Sequence, residues 1–304
     1  MHYDILSILY NCYLRNDFSY IDLISKNFNS NNVNSVIANL YFMNEEEMKE
    51  EFGNYYIGSI NVLEMFRIST DLFKKYFPNI KVIFSIEGCD YIKDTKELEE
   101  LYKLELRSIL LVWCNPNKYG SGTRGDYGLT ELGKKLLIKA IDLGICIDLS
   151  HMNIKTFYDT VDLLREQKQL GKDVKVIVSH SNCYNVYNNL RNISDEQIKA
   201  IKEFNPIMGL VSYEPFIYNS NDKNILLDKY LEHIDRVVAI LGISNVGVAT
   251  DDMSFTNFLF GDTSDEGLFN YKNVRENLTK LLRKKYNKDE VEKILYQNIF
   301  NKLF

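Results

Sequence analysis

Short apolar, β-branched runs recur along this chain, each followed by a longer stretch with helical periodicity, and this alternation constrains the fold most. The runs fall at 3–9, 33–42, 80–86, 108–112, 145–149, 174–179, 207–212 and 246–249, and their starts lie about one strand-plus-helix unit apart. Strands of this kind that alternate with helices predict a parallel sheet buried on both faces. Eight such units predict a (β/α)₈ barrel spanning 1–304 as one domain, with a doubly wound open sheet as the alternative that the pattern leaves open. Helical patterns are expected at 129–143, 192–201, 226–241 and 289–303, the second opening with the Ser194-to-Gln197 spacing of a capping box. Stretches 115–128, 214–224 and 252–273 carry no regular pattern. They follow the fourth, seventh and eighth strands, where a barrel places its active-site loops.

Composition narrows the function. A formal net charge of −6 with no strongly basic segment gives nucleic acid no electrostatic foothold. The five cysteines are scattered and odd in number, which fits a reducing compartment rather than a disulfide framework. No apolar run approaches membrane-spanning length, and the N-terminal residues show no basic segment leading into an apolar one. A cytoplasmic location without membrane attachment is expected.

Three of the four histidines sit at strand ends. His2 and Asp4 are two apart on the first run. Glu87 closes the third, His151 follows the fifth, His180 the sixth and Asp251 the eighth. Parallel barrel strands deliver their C-terminal ends to one rim, so these groups are expected to converge. Two imidazoles beside several carboxylates suit zinc or a similar ion, and Glu87 has two oxygens with which to bridge a pair. Such a pair can acidify a shared water and polarise a carbonyl. Each residue alone also has a structural reading: Asp4 as a turn acid, Glu87 as a helix cap. His233, inside a helical pattern, is read as structural.

The chain resembles the renal (membrane) dipeptidases and their bacterial relatives in motif order. The motifs are His-Tyr-Asp at 2–4, Ile-Glu-Gly-Cys-Asp at 86–90, Leu-Tyr-Lys-Leu-Glu-Leu-Arg at 101–107, Gly-Leu-Thr-Glu-Leu-Gly at 128–133, Asp-Leu-Ser-His at 148–151, Ser-His-Ser-Asn at 179–182 and Arg-Asn-Ile-Ser-Asp at 191–195. The resemblance implies two Zn²⁺ per chain: His2 and Asp4 on one ion, His151 and His180 on the other, Glu87 bridging. It also implies that Arg191 grips a substrate carboxylate and that Asp251 exchanges protons with water and leaving amine. The implied reaction is hydrolysis of a dipeptide, or a dipeptide-like metabolite, by metal-activated water. The expected partner is a small peptide, with no nucleic acid or membrane, and a homodimer is compatible with the sequence.

Two departures bear on activity. Trp113 stands where renal enzymes carry a substrate-contacting histidine, and the family's Asp-Phe-Asp-Gly is reduced here to Asp251-Asp252-Met253-Ser254. Two rival readings follow: another two-metal barrel hydrolase, such as a TatD-like nuclease, and a non-catalytic relative that binds a peptide or metabolite. The Gly120-x-Gly122-x-x-Gly125 spacing matches a dinucleotide fingerprint but does not directly follow a strand, so it is not read as a cofactor loop. Ser150 and Ser179 lack the Gly-x-Ser-x-Gly context of a serine nucleophile.

Overall fold

The computed structural model describes residues 2–41, 61–249 and 274–303. Among them, eight strands form one sheet in chain order: β1 (His2–Tyr3), β2 (Ser35–Tyr41), β3 (Lys81–Glu87), β4 (Leu106–Leu110), β5 (Cys146–Asp148), β6 (Val176–Val178), β7 (Ile207–Val211) and β8 (Val246–Ala249). Each pairs in parallel with the next. This is the (β/α)₈ arrangement expected from the alternation.

The strands sort their side chains into two sets by simple alternation. Val36, Ala38 and Leu40 of β2, with Ile147 of β5 and Val176 and Val178 of β6, join the large core under the helices. Ile37, Ile83, Cys146, Ile177 and Ile207 form a separate cluster drawn from β2, β3, β5, β6 and β7. In a flat sheet, β2 and β7 would stand roughly 24 Å apart, five strand spacings. Their side chains share one cluster because the sheet curls. Ile299 and Leu303, from the C-terminal helical segment, pack against this inner cluster and floor the barrel at the strands' N-terminal ends.

The barrel is narrow enough to require glycine. A Cβ on Gly209 of β7 would stand 2.1 Å from the Ser179 carbonyl oxygen. Its absence lets the end of β6 lie against β7, and the backbone N–H of Ser181 donates to the Gly209 carbonyl at 3.0 Å.

Helix starts follow their local signals. Thr130 caps the helix Glu131–Asp142, and Ser194 with Gln197 forms the expected reciprocal capping box at Asp195–Ile201. Lys223–Leu241 matches its pattern, while 289–303 is broken into Lys288–Glu292, a π-turn at Lys293–Gln297 and Asn298–Leu303.

Two assignments are corrected. The run at 3–9 is not a strand: β1 stops at Tyr3 and a helix covers Ile5–Arg15. Ile5, Leu6, Ile8, Leu9 and Tyr10 are all buried, and a continuous apolar run cannot tell a buried strand from a buried helix by period. The stretch 214–224 holds a short helix at Glu214–Ile217 with Pro215 in its first turn. The stretch 252–273 lies outside the described residues.

Candidate metal centre

Glu87 is the last residue of β3, and its ladder partners are Tyr41 of β2 and Leu110 of β4. Gly88 then takes φ 84°, turning the chain sharply after the carboxylate. His151 lies three residues beyond β5 with φ 68°, a left-handed conformation uncommon for a residue with a Cβ and often found where a site demands it. His180 lies two residues beyond β6. Three separate strands thus bring three side chains to one place, and each side chain offers a ligand atom within 4.8 Å of the others.

The distances are tighter than that bound. Glu87 Oε1 lies 2.8 Å from His151 Nε2 and 3.3 Å from His180 Nε2, and the two Nε2 atoms are 2.9 Å apart. All three residues are buried. The second carboxylate oxygen of Glu87 accepts a hydrogen bond from Asn39 Nδ2 of β2 at 2.8 Å. His180 Nδ1 lies 2.7 Å from Ser179 Oγ, and His151 Nδ1 lies 3.5 Å from Cys114 Sγ.

The electrostatics favour a cation. Burial alone would raise the Glu87 carboxyl, but its interactions with the His180 and His151 imidazoles outweigh it and hold the group well below the usual carboxylate range. Burial first, and the nearby Arg191 guanidinium second, push His151 down to about 3 against the pull of Glu87. An anionic carboxylate and a neutral imidazole are the protonation states a metal needs. The triangle of donor atoms is also small enough for one ion to touch all three at zinc's usual distances of about 2.0–2.2 Å. The residues present therefore fit a first-row divalent ion.

Beside the trio lies a cavity of about 350 Å³, lined by His151, Asn153, Tyr184, Leu190 and Arg191 among others. This falls in the range of small-molecule pockets. Arg191 is buried, donates from Nη2 to the His180 carbonyl at 3.2 Å, and sits over the Phe216 ring at 5.3 Å. The Trp113 ring packs 6.0 Å from that of His151.

Among the sequence-derived candidates, Glu87, His151, His180, Arg191 and Trp113 thus gather on one rim. Asp4 directly follows β1, whose register His2↔Ile37 and Tyr3↔Ala38 leads on to Asn39, the partner of Glu87. The side chain of His2 and the whole of Asp251 lie outside the described residues. Asn39 and Cys114 were not singled out as site groups by sequence. The available signal for Asn39 was an amide in the otherwise apolar segment Val36-Ile-Ala-Asn-Leu40.

His233 is buried, accepting from the Cys183 N–H at Nδ1 (3.0 Å) and facing the Ile217 carbonyl at Nε2 (3.0 Å), a structural role. Gly120 and Gly122 belong to a small hairpin and a bridge to Met152, not to a strand-to-helix phosphate loop.

A parallel α/β barrel with a buried carboxylate and two imidazoles converging on its C-terminal rim is a metal-binding barrel. The chain belongs to the membrane dipeptidase family (peptidase family M19), whose model matches residues 61–302. It is 29% identical over 177 residues to an uncharacterized protein in the PQQ-III 3′ region of Acinetobacter calcoaceticus, a match spanning 53% of this chain and 54% of that relative. The chain therefore spans about half the length of that curated relative.

Among solved structures it is similar to the dipeptidase AC, a metallo peptidase, at 20% identity and a TM-score of 0.73, covering 99% of this chain and 95% of the other. It is also similar to a metallo peptidase from Rhodobacter sphaeroides liganded with a phosphinate mimic of the dipeptide L-Ala-D-Ala. That match has 19% identity and a TM-score of 0.73, and it covers 99% and 96% of the two chains. At these identities the structural likeness speaks for the fold. None of the described helices is long and apolar enough to cross a membrane.

Proposed function

We propose that this chain hydrolyses the amide bond of dipeptides or a dipeptide-like metabolite, using two zinc ions held at the rim. The observation that carries the reading is the buried Glu87–His151–His180 trio opening beside the cavity that Arg191 lines. In this reading His151 and His180 hold one ion, His2 and Asp4 the other, and Glu87 is shared. The Rhodobacter sphaeroides structure supports it, since that similar barrel is liganded with a phosphinate mimic of a dipeptide. The ions would supply the Lewis acidity that activates a water and polarises the scissile carbonyl.

The chain's own residues supply the rest. Arg191 offers a planar donor fork to the substrate's terminal carboxylate, holding the peptide across the cavity. Trp113, whose ring packs beside His151, is assigned a contact with the substrate in place of the histidine of the renal enzymes. Asp251 is assigned the proton transfer from the attacking water to the leaving amine, which is a poor leaving group until protonated. The reducing cytoplasm is the proposed location, in keeping with cysteines that are all free in the described structure.

The direct test is elemental analysis of gently purified protein together with a panel of free and C-terminally amidated dipeptides. Two zinc equivalents and cleavage confined to free dipeptides are expected. Protein that saturates with one ion, or cleaves both substrate sets equally, would refute the two-ion or the carboxylate-recognition part respectively.

A further inference from the structure

Each imidazole of the trio follows a serine, in Leu149-Ser150-His151 and Val178-Ser179-His180. Between the two segments lies Asp148, the last residue of β5, with no solvent exposure. Its Oδ1 accepts three hydrogen bonds: from the Ser150 N–H at 3.0 Å, from the Ser150 hydroxyl at 2.9 Å, and from the Ser179 N–H at 3.1 Å. Ser150 Oγ in turn accepts the backbone N–H of His180 at 3.2 Å and lies 3.4 Å from Ser179 Oγ. Ser179 Oγ lies 2.7 Å from His180 Nδ1.

Counting donors limits the order of protons along this chain. A hydroxyl has one hydrogen to give. Ser150 spends its hydrogen on Asp148, so toward Ser179 it can only accept. When His180 Nε2 serves as a metal ligand, Nδ1 carries the hydrogen, Ser179 Oγ accepts it, and the Ser179 hydrogen is free to go to Ser150. With Nδ1 protonated, Nε2 keeps the lone pair that a metal ligand needs, directed at the space it shares with Glu87 and His151. The same carboxyl oxygen also ties the backbone at Ser150 to that at Ser179. It thereby sets how far apart the ends of β5 and β6, and the histidines that follow them, can lie.

We infer that Asp148 is the positioning carboxyl group of the centre, acting through Ser150 and Ser179 to fix the His180 tautomer and the spacing of the two imidazoles. It touches neither the donor triangle nor the substrate cavity, so its effect is exerted on the ligands rather than on the reaction. His151 is oriented differently, with Cys114 Sγ of the loop after β4 facing its Nδ1.

The inference rests on the metal-centre reading above, and zinc alone serves as the probe. Ser179→Ala and Ser150→Ala each remove one hydroxyl from the relay. Both are expected to weaken zinc retention against a competing chelator by roughly 10–100-fold, the usual cost of losing an outer partner of a ligating histidine. The metal-free proteins should melt within a few degrees of wild type, and the absorption bands of the cobalt-loaded forms should shift. Ser179→Thr, which keeps a hydroxyl, should recover most of the retention. Asp148→Asn keeps an acceptor oxygen for the three donors and separates the role of that oxygen from that of the acid.

Wild-type zinc retention in both alanine variants would overturn the inference, as would a loss that merely tracks a loss of metal-free stability. Wild-type protein that holds zinc but cleaves no dipeptide would remove the hydrolase reading and leave the relay standing. Normal cleavage with unaltered retention in the variants would do the reverse.

Discussion

At the N-terminal end of the barrel, Ile37, Ile83, Cys146, Ile177 and Ile207 close the interior with apolar side chains, and Ile299 and Leu303 pack beneath them. At the other end β3 finishes in Glu87, β5 leads through Asp148 and Ser150 to His151, and β6 leads through Ser179 to His180. Cys146 and Asp148 share a face of β5, two residues apart, as do Ile83 and Ser85 on β3. One step of strand period therefore separates a dry floor from a polar layer. The floor's bonds are non-directional and respond to volume, whereas the rim's depend on which atom faces which. A single barrel thus has an apolar end and an end that gathers the candidate metal ligands, and substitutions at the two ends should produce different kinds of loss.

The largest separation is expected from Glu87→Ala, which should abolish turnover and lower zinc content toward zero without lowering the melting temperature of the metal-free protein. Activity persisting with full zinc content would break the assignment of the trio. Asp251→Asn comes next, with turnover falling by roughly 10²–10⁴ while zinc content and substrate affinity hold. Turnover should be measured per zinc-loaded folded molecule, and near-normal values would return Asp251 to a structural role.

At the floor, Ile177→Ala removes a side chain that is 2% exposed and should cost about 2–5 kcal/mol of stability. Denaturant unfolding would read this directly, and turnover per folded molecule should stay at the wild-type value. A floor variant that folds well but turns over poorly would show that the two ends are not separable.

His233 sharpens the comparison from the rim side, because its imidazole fastens the segments that follow β6 and β7 to the helix Lys223–Leu241. Burial pushes it down to about 4 from an ordinary 6.5. The unfolded chain therefore binds the extra proton between those values. The stabilisation is complete above pH 6.5 and is lost as pH falls toward 4, by about 3 kcal/mol in all. Stability curves of metal-free protein against pH should show this loss in wild type, whereas His233→Asn should flatten it. Parallel curves would mean that His233 titrates alike in both states. The smallest effect is expected from Arg191→Ala, roughly 1.5–3 kcal/mol of binding for free dipeptides. Amidated dipeptides should lose nothing further, and an equal loss for both would remove the carboxylate contact.

The sequence reading reached the rim more securely than it reached the first strand. Glu87, His151 and His180 each end an apolar run, and parallel barrel strands deliver such ends to one rim whatever the intervening helices contain. The run after Tyr3 misled for the opposite reason: Ile5–Tyr10 is buried on all sides, so its composition carries no period. Asn39 escaped notice because its role depends on the neighbour that β2 acquires, Ser85↔Asn39 and then Glu87 one step on, and not on any spacing within β2.

By itself the sequence determined what is local: the recurring strand-and-helix units, the capping box at Ser194, and which titratable residues stand at strand ends. Only the tertiary structure decided what those ends do to one another. The 2.9 Å approach of the two imidazoles, the hydrogen bond from the Ser179 N–H to Asp148 Oδ1, and the depressed Glu87 and His151 all arise between residues tens of positions apart. Backbone preference and side-chain period act over a few residues. Hydrogen bonding and desolvation act over a few ångströms, and curling the sheet is what turns sequence distance into that proximity.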